Sequence, residues 1–324
     1  MRAAFCFTPD RNFFPPAVRA IASLLDAEPD FPHEIRIVCE PDDVTPGFDR
    51  LPSALRDRIT LQTLDFASFD KGLAPKGRFS RAVFRRLFLD ATLPGDIERI
   101  VTVDSDMLVV RPGVSRLAGF DLGGKPLAAA YDMIFLMDFK GDALAYRFQR
   151  ARRALGIPLG TPYFNAGLMA IDRAAWRAQG LTEKVTRALA EDPERYPFME
   201  QDALNATLRG AFAPLSPRYN FMGDFLLLGL ERRIEPILLH FVIPPKPWEA
   251  GYSGEARFAA AYRDWFAASP WPDWARPAAE QNLRRGRTPV TALRRKFADE
   301  LTAFLDTVSF IDGPLQSRDR SGSR

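Results

Sequence analysis

Cysteine and histidine are scarce in this chain. Its 324 residues include two cysteines, Cys6 and Cys39, and two histidines, His33 and His240. Because two cysteines cannot build a disulfide framework, we expect a reducing compartment. A large excess of charge of one sign is also lacking, since 44 lysines and arginines oppose 41 aspartates and glutamates, a formal charge of +3. Such a balance argues against nucleic acid as a partner.

Long apolar runs are absent as well. The longest, residues 225–230 and 237–243, fall far below the roughly 20 residues that a membrane-spanning helix needs. The apolar run nearest the N-terminus, residues 3–7, is about half as long as the shortest usual hydrophobic core of a signal peptide, and it leads into a polar loop. These features predict a cytoplasmic protein.

Several motifs of phosphate-binding and hydrolytic enzymes are also missing. The chain has no glycine-rich phosphate loop, no G-x-G-x-x-G, no G-x-S-x-G and no paired C-x-x-C. Phosphate binding through a glycine-rich loop is thereby excluded. The 47% of apolar and 26% of charged residues are ordinary for a globular protein with a sizeable core. At about 150 residues per domain, the length allows one large domain or two small ones.

Strand-like and helix-like segments alternate along the first half of the chain. Strands are predicted at residues 3–7, 34–40, 59–64, 99–103, 126–131, 164–171 and 236–243. Helices are predicted between them, one opened by Pro15 and Pro16, one capped by Ser80 and one capped by Asp172. This alternation favours an α/β fold with a largely parallel sheet.

The composition changes after about residue 250. Apolar residues recur there at helical spacing, namely Val290, Leu293, Phe297, Leu301, Phe304 and Val308. Residues 280–297 carry six positive charges and one negative charge, so the pattern predicts an amphipathic helix with a basic entrance. Such a helix either lies on an anionic membrane surface, which we favour, or packs on the protein with its basic side in water. We divide the chain into residues 1–250, a helical extension over 251–315 and a disordered tail over 316–324.

The strongest chemical signal is an Asp-Ser-Asp sequence directly after a predicted strand. Alternate residues of an extended chain point the same way, so Asp104 and Asp106 can aim two carboxylates at one hard cation. Ligands of open α/β sheets lie at the carboxyl ends of strands, which is where this sequence falls. A solvated turn is the alternative.

His240 adds a third potential metal ligand. It interrupts an apolar run just before a proline-rich stretch that contains Lys246. An imidazole with two carboxylates suits a divalent ion such as Mn²⁺. Lys246 could place an ammonium near a phosphate, whereas His33 has no comparable context and is assigned a structural role.

Amides and carboxylates also cluster at two further points. Asn165 and a glycine stand at the start of a predicted strand, and Glu200, Gln201 and Asp202 stand at the start of a predicted helix. Acidic residues at a helix start also complement the helix dipole, so a purely structural role is the alternative.

These motifs, taken in order, resemble glycosyltransferase family 8, especially its bacterial lipopolysaccharide and lipooligosaccharide branch of α-galactosyl- and α-glucosyltransferases. Each motif alone is weak, but their shared order is specific. The resemblance runs over residues 5–248 through residues 7–13 (FTPDRNF), 80–87 (SRAVFRRL), 103–106 (VDSD), 163–167 (YFNAG), 201–205 (QDALN), 218–222 (RYNFM) and 240–248 (HFVIPPKPW). It implies a GT-A fold over residues 1–250, a Rossmann-like nucleotide-binding domain merged with an acceptor-binding part.

The resemblance also implies residues that hold the nucleotide and the metal. Thr8, Asp10 and Asn12 match the loop that holds the uridine. The metal ligands are matched by Asp104, Asp106 and His240. Ser105, within the metal motif, and Lys246 match further contacts to the nucleotide, and that of Lys246 is to the diphosphate.

Other matches surround the donor sugar. Arg86 matches an arginine that contacts the sugar, and Asp132 matches an aspartate between donor and acceptor. Asn165 and Gln201 match groups around the sugar, with Gln201 closest to the anomeric carbon, and Glu200 and Asp202 flank it as candidate catalytic carboxylates.

Two positions depart from the family's pattern. Glu200 stands where the family usually has aspartate, and the extra methylene could alter which hexose fits. Ile243 stands where the family usually has glycine, and its Cβ could block a close backbone approach to the diphosphate.

The resemblance implies a retaining transferase that moves galactose or glucose from UDP-galactose or UDP-glucose to a saccharide or lipid-linked saccharide. The implied cofactor is Mn²⁺, with Mg²⁺ as an alternative, and the implied location is the cytoplasm or the inner face of its membrane. Two other functions stay open. One is a nucleotide-sugar-binding protein without turnover. The other is a sugar-nucleotide pyrophosphorylase, which predicts a glycine-rich loop after the first strand, whereas residues 8–12 contain no glycine.

Overall fold

Short apolar segments form the strands of two sheets. A computed structural model describes residues 1–69, 72–77, 79–276, 283 and 291–315. The strands are Ala3–Phe7 (β1), Glu34–Cys39 (β2), Ile59–Thr63 (β3), Arg99–Val103 (β4), Met107–Val109 (β5), Leu127–Tyr131 (β6), Phe164–Asp172 (β7), Ala213–Leu215 (β8), Phe221–Met222 (β9) and Leu238–His240 (β10). In β1 and β4 every residue is buried, as expected for strands covered on both faces.

The larger sheet has seven strands in the order β3-β2-β1-β4-β7-β6-β8. Strands β3, β2, β1 and β4 pair in parallel, and so do β6 and β8. Only β7 runs antiparallel to its neighbours in this sheet. The predicted α/β class with a mostly parallel sheet is therefore confirmed.

A second sheet joins distant parts of the chain. Strand β10 pairs antiparallel with β5 and parallel with β9. His240 lies opposite Met107 in this ladder, and the backbone N–H of Phe241 donates to the carbonyl of Asp106 at 3.0 Å. The small sheet thus brings His240 beside the Asp-Ser-Asp sequence.

Helices cover both faces of the large sheet. They are Phe14–Ala27 (α1), Ser53–Arg56 (α2), Ala82–Arg85 (α3), Leu89–Thr92 (α4), Met133–Leu136 (α5), Ala143–Ala154 (α6), Arg173–Ala178 (α7), Leu181–Glu191 (α8), Met199–Leu208 (α9), Gly223–Leu227 (α10), Glu231–Ile234 (α11), Ala256–Ala268 (α12) and Ala292–Thr307 (α13). Prolines open α1, and the Asp172 carboxylate accepts from the backbone N–H of Ala175 to cap α7, both as predicted.

Two predicted boundaries are wrong. Ser80 does not cap α3, which starts at Ala82 after Arg81 and has no side-chain cap. Buried side chains such as Phe84 anchor this short helix instead. The strand predicted at residues 236–243 is limited to β10, because the carbonyls of Phe241 and Val242 accept from the Lys246 ammonium rather than from a neighbouring strand.

The C-terminal part packs on the rest of the protein. Helix α12 buries Tyr262 and Phe266, and α13 buries Phe297 and Leu301 as the helical spacing predicts. Leu293, which the spacing also placed on the apolar side, is 68% exposed, because it lies in the first turn of α13, ahead of the buried part of the helix. Part of the predicted basic helix and the predicted tail lie outside the described residues, namely Val290, the arginines at 284, 285 and 287, and residues 316–324. Across the described residues, every helix is too short or too polar to span a bilayer.

Candidate active site

Four chain segments meet at one edge of the large sheet. β1 and β4 end there in parallel, and β6 ends at the same edge because it runs parallel to them. The antiparallel β7 begins there, so the backbone N–H of Asp104 donates to the Gly167 carbonyl at 2.8 Å. Side chains that follow β1, β4 and β6 therefore face those that start β7.

Asp104, Asp106 and His240 form a potential metal centre. Each offers one ligand atom, and these atoms all lie within 4.8 Å of one another. His240 Nε2 is 3.2 Å from Asp106 Oδ1 and 3.8 Å from Asp104 Oδ2. Two carboxylate oxygens and one imidazole nitrogen fit a divalent ion such as Mn²⁺, so the residues present suit the group that the sequence predicts.

Lys246 compensates the charge of Asp106. Its ammonium donates to Asp106 Oδ2 at 2.6 Å and to the Val242 carbonyl at 2.9 Å. Burial alone would favour a protonated carboxyl, but the Lys246 ammonium holds the pKa of Asp106 well below its usual range. Asp106 is therefore an anion that can bind a cation.

Arg86 bridges two carboxylates and the backbone of β7. It donates through Nη2 to Asp104 Oδ1 and through Nη1 to the Ala166 carbonyl, and its Nε lies 3.5 Å from Glu200 Oε1. Burial raises the pKa of the Glu200 carboxyl to about 7 even though Arg86 opposes this shift. Arg86 thus holds Asp104 at the edge of the metal centre.

Gln201 is held in one orientation by its neighbours. Its Oε1 accepts from the backbone N–H of Ala166 at 2.9 Å. Its Nε2 donates to the Tyr163 hydroxyl at 3.2 Å and to Asp132 Oδ2 at 3.3 Å. Asp132 Oδ1 accepts from the backbone N–H of Ile134 at 2.7 Å, and burial raises the pKa of this carboxyl.

A cavity of about 550 Å³ opens over these groups, a volume in the range of small-molecule sites. Most of the predicted residues line it, namely Thr8, Asp10, Arg86, Asp104, Ser105, Asp106, Asp132, Asn165, Glu200, Gln201, His240 and Lys246. The structure therefore brings together side chains that are up to 238 positions apart in the sequence.

Two predicted residues lie elsewhere. Asn12 is exposed and is not part of the cavity lining. Asp202 lies behind the wall, where it accepts from the Tyr163 hydroxyl at 2.6 Å and from the backbone N–H of Phe198 at 2.7 Å. Burial raises the pKa of Asp202 to about 6. Its place next to Tyr163 suits support of the wall rather than contact with a ligand.

Gly167 permits the close approach of the three potential metal ligands. A Cβ at this position would clash with the His240 ring and lie 2.9 Å from Asp104 Oδ2. The sequence marked this glycine only by its place beside Asn165.

Sequence reasoning assigned no role to Asn220 or Asp224. Asn220 is fully buried beside His240, and Asp224 lines the cavity. The motif that contains Asn220 was recognised, but its contact with His240 depends on the second sheet, which short-range spacing does not reveal.

A second cavity, of about 680 Å³, adjoins the first. Asp224, Val242, Ile243 and Pro244 line both. Leucines after β9 and residues of α13 complete its wall. Ile243 is 67% exposed and projects from this shared wall.

A mostly parallel sheet with an Asp-x-Asp pair and a histidine at its carboxyl edge defines a glycosyltransferase of the GT-A type. Residues 4–251 match the family model described as glycosyl transferase family 8, and the chain belongs to that family. The predicted resemblance and fold are thus confirmed.

Individual relatives are distant. The chain is 28% identical to General stress protein A of Bacillus subtilis over 218 residues, which are 62% of this chain and 70% of the relative. It is 27% identical to the lipopolysaccharide 1,2-glucosyltransferase of Escherichia coli over 207 residues, which are 60% of this chain and 56% of the relative. The fold matches the galactosyltransferase LgtC, solved with donor and acceptor sugar analogues, with a TM-score of 0.64 and 21% identity over 81% of this chain and 95% of that chain.

Proposed function

We propose that this chain is a retaining hexosyltransferase that moves galactose or glucose from a UDP-sugar to a saccharide acceptor of lipopolysaccharide or another cell-envelope glycan. The observation that carries the proposal is the convergence of Asp104, Asp106 and His240 within one cavity, with their ligand atoms within 4.8 Å of one another. Membership of family 8 and the lipopolysaccharide glucosyltransferases among its relatives support the reaction class and the acceptor class.

The proposed donor position follows from the cavity. Thr8 and Asp10, after β1, and Lys246 line the cavity, so we place the nucleoside beside the first two residues and the diphosphate beside Lys246. A Mn²⁺ ion bound at the metal centre would supply positive charge that offsets the charge developing on the diphosphate. Asp104, Asp106 and His240 would hold that ion, and Lys246 would add a second positive charge.

The proposed reaction is a front-face displacement. The bond between the anomeric carbon and the phosphate oxygen breaks with its electron pair going to the diphosphate. The acceptor oxygen bonds to the anomeric carbon on the same face, and the acceptor proton passes to the phosphate oxygen. Gln201 supports this route over a covalent intermediate, because its amide is a poor nucleophile and is fixed by Ala166, Tyr163 and Asp132.

The second cavity supports an acceptor that extends beyond one sugar. It joins the first through Asp224 and residues 242–244, so a saccharide that reacts near Gln201 could continue into it. Leucines and Phe258 offer apolar surface to sugar rings, while Asp224 and Asp299 offer carboxylates to hydroxyl groups.

Two experiments test the proposal. UDP release from UDP-hexoses with water as acceptor should be slow, dependent on Mn²⁺ and abolished by a chelator. UDP binding without release from any hexose donor would favour the binding protein without turnover, and the exposed Ile243 side chain motivates that alternative.

Proton NMR of the transferred sugar should show the α-configuration of the donor, and a β-configured product would contradict front-face displacement.

We also propose that the protein acts at the cytoplasmic face of an anionic membrane. The apolar side of α13 is buried against the protein, so this contact would depend on exposed basic residues such as Arg295 and Lys296 rather than on insertion.

A further inference from the structure

A row of buried amides leads away from the histidine of the metal centre. His240 Nδ1 lies 2.8 Å from Asn220 Oδ1, and Asn220 Nδ2 lies 2.8 Å from Asn165 Oδ1. Asn165 Nδ2 in turn lies 2.7 Å from Asp132 Oδ2. His240, Asn220 and Asn165 are 3%, 0% and 4% exposed, so water cannot readily replace these partners.

A backbone N–H group fixes which side-chain atom of each asparagine in this row is the oxygen and which is the nitrogen. The N–H of Gly167 donates to Asn165 at 3.0 Å, and because a backbone N–H can only donate, the atom that it meets must be the amide oxygen. The Asn220 group that faces this oxygen must then be the NH₂. Consequently the Asn220 oxygen faces His240 Nδ1, which must carry a proton to make this hydrogen bond.

We propose that Asn220 is a positioning residue that fixes the His240 ring with its proton on Nδ1, so that Nε2 is the ring nitrogen available to the metal. The proposal rests on the metal centre of the proposed function. Nε2 is the ring nitrogen near Asp106, at 3.2 Å from Oδ1. Without this partner the ring can carry its proton on either nitrogen, and the form protonated on Nε2 cannot bind a metal through that atom.

His33 provides an internal reference for the tautomer of His240. It has two histidines, and His33 Nε2 lies 3.1 Å from the carbonyl oxygen of Ser115. A carbonyl only accepts, so His33 must carry its proton on Nε2. The two rings are therefore expected in opposite tautomers.

A long-range ¹H–¹⁵N NMR correlation of the metal-free protein, at a pH where both rings are neutral, reads the tautomers directly. We expect the Nδ1–H form for His240 and the Nε2–H form for His33. A His240 signal of the Nε2–H form, or of an even mixture, would overturn the proposal.

Three variants separate positioning from general support of the fold. Asn220→Leu should move the His240 proton to Nε2, where the Asp106 carboxylate can accept it at 3.2 Å, and should lower the Mn²⁺ affinity roughly 10- to 100-fold. Asn220→Asp keeps an oxygen opposite Nδ1 and should keep the Nδ1–H tautomer, although it loses the N–H that donates to Asn165 Oδ1. Asn205→Leu is the matched control, because Asn205 is 1% exposed and bonds to the backbone of Phe164 and to the Gln201 carbonyl rather than to His240.

The outcomes are distinct. If Asn220→Leu keeps a pure Nδ1–H tautomer, or Asn205→Leu weakens Mn²⁺ binding as much as Asn220→Leu does, the positioning role is wrong. If Asn220→Leu does not fold, the tautomers of the unmodified protein and of Asn220→Asp still decide. An Nδ1–H tautomer in a protein that binds no Mn²⁺ would support the positioning of the ring and contradict the proposed function.

Discussion

Two basic side chains hold the carboxylates around the cavity. Lys246 donates to Asp106, and Arg86 lies between Asp104 and Glu200. Because these groups are buried or half-buried, each cation offsets the cost of a carboxylate that water no longer solvates. At this scale the site depends on close contacts, so a substitution that adds one carbon atom should change the affinity for a metal ion.

The first prediction concerns the close approach at Gly167. A Gly167→Ala change places a carbon against the His240 ring and 2.9 Å from Asp104 Oδ2, so the ligands must separate. We expect the affinity for Mn²⁺, measured by titration, to fall roughly tenfold or more. Gly223→Ala is the control, since a Cβ there meets nothing within 4 Å. Equal affinities of both variants and the unmodified protein would contradict this reading of the site.

The second prediction concerns pH. Burial raises the pKa of Glu200 to about 7 in the folded protein, against about 4.3 in an unfolded chain. Between these values the folded protein binds a proton that the unfolded chain has released, so the free energy of unfolding falls as the pH rises. Denaturant unfolding of the metal-free protein between about pH 5 and pH 8 should show this fall, which we expect to be on the order of a few kcal/mol.

Glu200→Gln should remove part of that fall, since glutamine does not titrate. Asp202, with a pKa raised to about 6, contributes a fall of the same sign and should keep the remainder. Glu191→Gln, at an exposed position, should leave the pH dependence unchanged. If the free energy of unfolding of Glu200→Gln fell with pH as steeply as that of the unmodified protein, Glu200 would not be the buried group that binds the extra proton.

The sequence was informative about the types of residue in the site but not about their partners. The Asp-Ser-Asp sequence after a buried strand and a histidine in an apolar run were sufficient to predict that Asp104, Asp106 and His240 lie together. The pairing of Arg86 with Glu200 and of Asn220 with His240 joins residues 114 and 20 positions apart, which no local pattern encodes. Asp202 was predicted at the cavity because it adjoins Gln201, but successive residues of a helix point in different directions, and its side chain turns toward Tyr163.

At the scale of elements, the small sheet assembles the site. Strand β5 follows Asp106 directly, and its pairing with β10 fixes His240 beside the carboxylates. Strand bounds in the parallel part were predictable, because β1 is an uninterrupted apolar run and β4 is apolar apart from Arg99 and Thr102. The reversed direction of β7 was not, since a buried strand has the same apolar pattern whether it runs parallel or antiparallel.

The third prediction concerns the docking of α13. Phe304 stacks on Phe139 with 4.4 Å between ring centres and also contacts Tyr131 and Phe135. Phe304→Ala should lower the free energy of unfolding by about 2 kcal/mol, below the range for fully buried phenylalanine because the ring is partly exposed. Leu293→Ala, on the same helix at 68% exposure, should change it by less than about 0.5 kcal/mol. Equal effects would mean that α13 is not held by its apolar face.

At the scale of the whole molecule, the C-terminal extension forms part of the site's surroundings. Arg295, Ala298 and Asp299 of α13 line the second cavity, which joins the first through Ile243 and Pro244. A shift in composition and a helical spacing predicted this helix, and Phe297 and Leu301 of the predicted apolar side do face the protein, whereas Leu293 is exposed. Its place beside the site was not predictable, because no pattern in the sequence says which surface an amphipathic helix covers.

The fourth prediction concerns the proposed membrane contact. Arg295→Glu together with Lys296→Glu reverses two exposed charges without touching the buried side of α13. Binding to vesicles rich in phosphatidylglycerol, measured by co-sedimentation, should weaken roughly tenfold or more. Lys184→Glu with Arg187→Glu, at exposed positions of α8, is the matched control. Equal losses in both pairs would indicate general charge attraction rather than a surface formed by α13.

The most direct test of the whole account is a titration of Mn²⁺ into the protein with saturating UDP. We expect one site, lost or weakened at least tenfold by Asp106→Asn. Asp224→Asn should leave the affinity nearly unchanged, because Asp224 lines the same cavity but is not one of the grouped ligands. No Mn²⁺ binding by the unmodified protein, or equal binding by Asp106→Asn, would contradict the central claim that Asp104, Asp106 and His240 form the metal centre of a UDP-sugar-dependent transferase.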